Sequence, residues 1–120
     1  MSESRSHFHQ ELAALEEGIL DIADRCINMT SMAVDALVKP DLVLADRVIA
    51  EDAAVDQLYL DTHNRWINTI ARQAPVGSDL RLMSVLLHLN MTLERTGDQC
   101  VNIAKLTKVT DRFLDVALQY

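Results

Sequence analysis

The sequence predicts an all-α chain: an antiparallel bundle of three long helices with a short C-terminal tail or helix. Apolar residues recur in alternating steps of three and four over most of the length, the period of helices with one face in a core. Glycine and proline are scarce, three and two in 120 residues, and Pro40 and Pro75 fall where one apolar stripe gives way to the next. The connectors around them are short, which makes consecutive helices antiparallel neighbours. The length suits one ordinary domain and is short for two. Residues 1–108 are therefore read as the three-helix domain and 109–120 as the tail.

The first helix carries the stripe Leu12, Leu15, Ile19, Ile22, Cys26, Met29, Ala33 and Ala36. Pro40 is expected in the first turn of the second helix, where its missing N–H would have had no intrahelical partner, with Asp41 favourable to the N-terminal dipole. That helix runs to about Arg72 and carries Ala45, Val48, Asp52, Val55, Tyr59, Thr62 and Trp66, a stripe broken by one acid. After Ala74-Pro75-Val76-Gly77, Ser78 is the expected cap of the third helix. Two stripes lie side by side on it. One is Leu80, Met83, Leu87, Asn90, Glu94, Gly97, Val101 and Ala104; the other is Leu82, Leu86, Leu89, Leu93, Thr96, Cys100 and Ile103. So wide an apolar face is expected of a helix packed on two partners or at an oligomer interface. Phe113, Leu114, Val116 and Leu118 give the tail apolar residues with which to pack as a short helix.

Composition excludes several classes of function. No apolar run is long enough to span a bilayer, so no membrane insertion is expected. The polar opening Met1-Ser2-Glu3-Ser4-Arg5-Ser6 lacks the apolar segment of a secretory signal, which predicts a cytoplasmic protein. A net charge of −7, from 18 acids against 11 Lys and Arg, opposes contact with nucleic acid or anionic lipid and favours cations or basic protein surfaces. Cys26 and Cys100 lie in separate apolar patterns without a CxxC and are read as reduced core thiols. His7, His9, His63 and His88 are read as surface or core residues. No nucleophile elbow, glycine-rich phosphate loop or Ser-His-Asp pattern is visible, so no enzymatic activity is expected.

Four acid pairs stand at i,i+4: Glu17–Asp21, Asp52–Asp56, Glu94–Asp98 and Asp111–Asp115. Roughly three would arise by chance at this acid content, so spacing alone decides nothing. Context does more. Asp52 and Glu94 occupy core-stripe positions, and acids four apart on a helix repel mildly, so two such pairs on adjacent helices invite a compensating cation. An all-carboxylate set suits hard or borderline ions such as Mg, Mn or Fe. The Glu-x-x-His of di-iron bundles is absent, since Leu60 and Val85 stand three before His63 and His88. The alternative places Asp52 and Glu94 at the edge of the bundle, paired with Arg47, Arg65 or Arg95. The other two acid pairs read as solvated faces.

Three segments in order resemble a known family. The run Leu93-Glu94-Arg95-Thr96-Gly97-Asp98 through Asn102-Ile103-Ala104 resembles the signature of the PhoU phosphate-uptake regulators. Ala74-Pro75-Val76-Gly77-Ser78-Asp79-Leu80-Arg81 resembles that family's second strong segment, and Glu51-Asp52-Ala53-Ala54-Val55-Asp56 its E(D)xxxD element. The resemblance runs from about Phe8 to Lys108. It implies a three-helix repeat whose acidic elements bind metal ions, often iron, zinc or manganese. Carried over by position, the ligands are Asp52, Asp56, Glu94 and Asp98, with Asn102 and Asp79 as weaker candidates. It also implies a non-enzymatic negative regulator of phosphate uptake and the phosphate-starvation response, a homodimer working between the phosphate ABC transporter and a sensor histidine kinase. This chain departs from the family in having one repeat where two are usual, and in carrying Thr92 and Gln99 where Asp and His are common. The single repeat is either a relative or fragment standing alone, or one half of a pair of associated chains; the wide face of the third helix favours association. The competing function is a structural adaptor whose acidic face binds a basic protein partner without a metal role.

Overall fold

In the computed structural model, which describes the backbone of residues 2–118 and the side chains of residues 5–114, the apolar stripes close on one another as three helices. These are α1 (Ser2–Val38), α2 (Leu42–Gln73) and α3 (Ser78–Leu118). Each packs on both others, with α2 antiparallel to α1 and α3, and the result is a rod 74 × 20 × 17 Å.

The core forms where the three stripes meet. Leu15, Ile22 and Met29 on α1, Val48 and Val55 on α2, and Met83 and Ala104 on α3 have no solvent exposure. Burying each of the larger ones is worth about 1.5–3 kcal/mol. Two clusters result. At one end Phe8, Leu15 and Ile19 pack against Met83 and Leu86, with Trp66 beside them. The indole N–H of Trp66 donates to the Met83 carbonyl at 2.6 Å, which satisfies the polar edge of a large ring in apolar surroundings. The longer cluster joins Ile22, Cys26 and Met29 to Val48, Val55 and Cys100, and it ends in the small residues Ala33, Ala36, Ala45 and Ala104. Leu93 packs against both clusters. The buried hydroxyls of Thr69 and Thr107 return to their own helices, donating to the carbonyls of Arg65 and Ile103.

The helix ends correct three expectations. Pro40 precedes the second helix instead of opening it. Asp41 is the cap, extended at φ −133°, ψ 99°, with its carboxylate accepting from the Leu44 N–H at 3.0 Å. The Asp41 N–H donates to the Ala36 carbonyl at 3.1 Å, so one residue closes α1 and opens α2 and the proline is left to the turn between. Ser78 is the first residue of α3, not its cap. The Gly77 carbonyl accepts the first helical bond, from Arg81, and Gly77 sits at φ +60°, a left-handed conformation that costs glycine nothing. The tail forms no separate element: residues 109–118 continue α3 unbroken, and Phe113 stands 70% exposed. No glycine or proline falls after Gly97 to stop the helix. The side chains of Val116 and Leu118 lie outside the described residues. At the end of α2, Ala74 turns left-handed (φ 40°, ψ 55°) and its N–H donates to the Ile70 carbonyl, just before a proline that cannot continue the helix.

Asp41→Ala should lower stability by about 1 kcal/mol in chemical denaturation, while Asp41→Asn, which keeps a capping oxygen, should stay close to the parent.

Candidate metal site

Helices α2 and α3 come together at Gly97. A Cβ added there would stand 2.9 Å from Asp52 Oδ1 and 3.3 Å from Val55 Cγ1, so the missing side chain is what lets the Asp52 carboxylate lie against α3. An acid from the α2 stripe thereby reaches the place where α3 presents its own. Asp56 lies one turn along α2, and Asp98 follows Gly97 on α3. Asp52, Asp56 and Asp98 each offer a carboxylate oxygen, and the three oxygens lie within 4.8 Å of one another. Glu94 stands one turn before Asp98 on α3 and is not one of the three acids in that group.

This concentration of acids is visible in their titration. The half-buried Asp52 carboxyl is pushed above its ordinary range, first by burial and then by the charges of Asp56 and Asp98. Glu94 is raised first by burial and then by Asp98, Asp56 and Asp52. Arginine pairing at the bundle edge is not what the structure shows. Among the described residues the ion pairs join Arg25 to Asp21 and Glu51, Arg72 to Glu11, and Lys108 to Asp46, and none ends on the four acids. Asp52 Oδ1 is buried without a hydrogen-bond partner, an arrangement that costs about 1–3 kcal/mol and more for a charged group. Asp98 is exposed, so solvent screens part of this charge, and protonation or a bound cation would relieve the rest.

The donor set fits a cation. Oxygens up to 4.8 Å apart can share one ion held at about 2.4 Å, and the unpartnered Asp52 oxygen is a free ligand atom. An all-oxygen set matches magnesium, manganese or iron better than zinc, whose structural sites take nitrogen and sulfur.

The remaining candidates stand apart. Asp79 occupies the first turn of α3, about 28 Å along the helix from Asp98 at ~1.5 Å per residue, and so is not part of this cluster. Asn102 lies exposed one turn beyond Asp98, its amide donating to Gln99 Oε1 at 3.4 Å. His63 stacks on the Tyr59 ring with centroids 5.9 Å apart, and His88 is exposed. Both cysteines are buried free thiols. Cys26 donates to the Leu93 carbonyl at 3.2 Å, and its pKa is raised by burial, then by Cys100 and Asp52, so it is a protonated core thiol and not a thiolate ligand. The periodicity places Gly97 in the α3 stripe without assigning it a role. Its signal is that a glycine holds a core position opposite a stripe containing an acid.

Fold and site together define an all-α three-helix domain with a carboxylate cluster on the seam between α2 and α3. Residues 19–107 match the PhoU domain, and the chain belongs to that family. It is 36% identical over 100 residues to the phosphate-specific transport system accessory protein PhoU homolog of Rhizobium meliloti (strain 1021), a match covering 83% of this chain and 42% of that protein. The PhoU homolog of Aquifex aeolicus (strain VF5) is 33% identical over 96 residues, covering 80% and 43%. That of Clostridium acetobutylicum is 31% identical over 106 residues, covering 88% and 48%. The chain thus spans about half the length of the curated relatives it matches. No solved structure matches it.

Gly97→Ala should force Asp52 and Val55 away from α3 and cost about 1–3 kcal/mol of stability. The pH dependence has a definite sign. Because Asp52 and Glu94 titrate above their ordinary range when folded, their charged forms oppose folding. That penalty is full above the raised values and gone once the pH falls below the ordinary carboxylate range, at about 4. In metal-free protein, Asp52→Asn should therefore raise Tm at neutral pH and leave it level with the parent below about pH 4, as read by calorimetry.

Proposed function

We propose that this domain is a non-enzymatic accessory regulator of phosphate transport, a negative regulator of uptake and of the phosphate-starvation response. In this reading a cation held by Asp52, Asp56, Glu94 and Asp98 is part of its functional form. The buried, unpartnered Asp52 oxygen beside the Asp56 and Asp98 carboxylates is the observation that carries the metal assignment. Family membership, and the accessory role printed in the relatives' names, support the regulatory assignment. The partners are the phosphate ABC transporter and a sensor histidine kinase, met on the cytoplasmic side. No described helix is long and apolar enough to cross a membrane, so contact with such machinery runs through protein surfaces.

Deleting the gene should switch on phosphate-starvation genes in phosphate-rich medium; normal repression would sink the regulatory assignment. For the metal, manganese at a hundred times its Kd should add about 2.7 kcal/mol to the stability of metal-free protein, and Asp98→Ala should abolish that gain. No heat of binding in calorimetry, or a gain that survives Asp98→Ala, would refute the assignment. The adaptor alternative predicts the reverse pattern, a basic partner bound in a salt-sensitive and metal-indifferent way.

A further inference from the structure

Where α2 meets α1, away from the Asp52 cluster, the seam opens into a cleft of about 500 Å³. Glu17, Asp21 and Asp24 line it from α1 and Asp61 and Arg65 from α2, and the partly buried Leu58 gives it an apolar wall. Its floor is Thr62. That residue is 7% exposed, and its Oγ1 would stand 2.8 Å from a Cβ added at Gly18, so the bare Gly18 backbone leaves room for the hydroxyl in the cleft that both residues line. The hydroxyls of Thr30, Thr69, Thr96 and Thr107 each donate to the carbonyl four residues back, whereas that of Thr62 makes no hydrogen bond among the described residues. A hydroxyl more than nine-tenths buried and unbonded at the bottom of an acidic cleft lacks a partner that the chain itself does not supply.

We propose that this cleft binds a short aliphatic polyamine, its ammonium groups on the carboxylates, its methylenes on Leu58, and one ammonium donating to the Thr62 hydroxyl. Charge sets the sign of the ligand. Four acids face one arginine there, and among the described residues Glu17, Asp24 and Asp61 make no ion pair. Asp61 accepts from Gln57 at 2.9 Å, and Asp21 has Arg25 at 3.7 Å, whose shorter bond goes to Glu51 at 2.6 Å. Spacing argues against a bare metal ion. From Glu17 to Asp24 the acids are strung along about 10 Å of α1, at ~1.5 Å per residue. Because Gly18 faces Thr62 on the antiparallel α2, Asp61 stands level with the stretch between Glu17 and Asp21. The three carboxylates gathered tightly enough for one ion are those of Asp52, Asp56 and Asp98 on the α2–α3 seam. A row of separated charges over an apolar wall matches a chain in which ammonium groups alternate with methylenes.

The ends of the cleft limit the ligand's length. Beyond Asp24 stands Arg25, bridged to Glu51, and beyond Glu17 stand Arg65 and the Arg72–Glu11 pair. Arginine at both ends repels a basic protein segment that would run on along the seam, and leaves room for a free ligand about as long as the row of acids. A triamine of that length reaches three of the four carboxylates, and a four-carbon diamine two. The cleft shares no residue with the Asp52 cluster, so the ligand binds without metal.

Equilibrium dialysis of the full chain against labelled spermidine, with EDTA and ~0.1 M salt to confine electrostatic effects to about 10 Å, tests this. Spermidine should bind one per chain, and putrescine about tenfold more weakly for want of one charged contact. Asp21→Asn combined with Asp61→Asn, both at exposed positions, should keep the parent's far-UV CD spectrum and weaken spermidine about tenfold or more. Asp35→Asn combined with Asp111→Asn removes the same charge elsewhere and should change binding less than about twofold. Thr62→Val, which keeps the shape of the side chain, should weaken it about threefold. Asp98→Ala should leave spermidine binding as it is. Absence of spermidine binding, equal losses in the two charge-matched pairs, or loss in Asp98→Ala overturns the proposal. Full affinity in Thr62→Val overturns the hydroxyl contact.

Discussion

The contact between the Asp52 carboxylate and α3 at Gly97 governs the seam on which the acids gather. With no Cβ at residue 97, α3 admits a charged oxygen of α2 where a core would ordinarily place a methyl group. Every other property of the cluster depends on that approach. It brings Asp56 and Asp98 within reach of one ion, it raises the Asp52 and Glu94 carboxyls, and it leaves one oxygen buried without a donor. The arrangement costs stability in the metal-free chain. Such a local conflict between burial and charge, set in an otherwise consistent core, is the place where the local pattern departs from the rest of the fold.

The three seams of the bundle differ in chemistry although their helices are alike in length and period. The α1–α2 seam is latched by Arg25–Glu51 and Arg72–Glu11 at 2.6 Å. Pairs this exposed contribute at most about 1 kcal/mol each, so they orient the helices more than they hold them. The α2–α3 seam carries acids, and the α1–α3 side carries bare aliphatic rows. Helix α3 belongs to both of the last two, which is why two stripes are needed to describe its sequence.

The helices were legible because burial imposes a period: the stripe from Leu15 to Ala36 is buried, and Ala45, Val48, Val55 and Thr62 of the second stripe are buried with it. Caps were harder to read. Pro40 and Asp41 are adjacent and both suit a helix start, and which one takes the cap depends on where the Leu44 N–H and the Ala36 carbonyl end up in space. The acids were half legible. Asp52 and Glu94 stood out as breaks in a pattern, whereas Asp79 shared a sequence motif with residues from which the helix rise separates it. The exposed row of Leu20, Ile27 and Val34 left no mark in a search for core stripes, because each of its members is flanked by stronger core positions such as Ile19, Cys26 and Ala33.

The rod is long and thin, 74 × 20 × 17 Å, and among the described residues Leu93 is the partly buried side chain that packs against both core clusters. That geometry bears on cooperativity. In a compact globule each core residue touches most of the others, and the whole unfolds as one. In a rod the free energy is passed along the length from one layer to the next, as in repeat proteins. Leu93 is the layer where the bulky end around Trp66 is spliced to the alanine-lined end around Ala36 and Ala45. Its packing decides whether the two ends open together or separately, and therefore whether hydrogen exchange would report one protected unit or two.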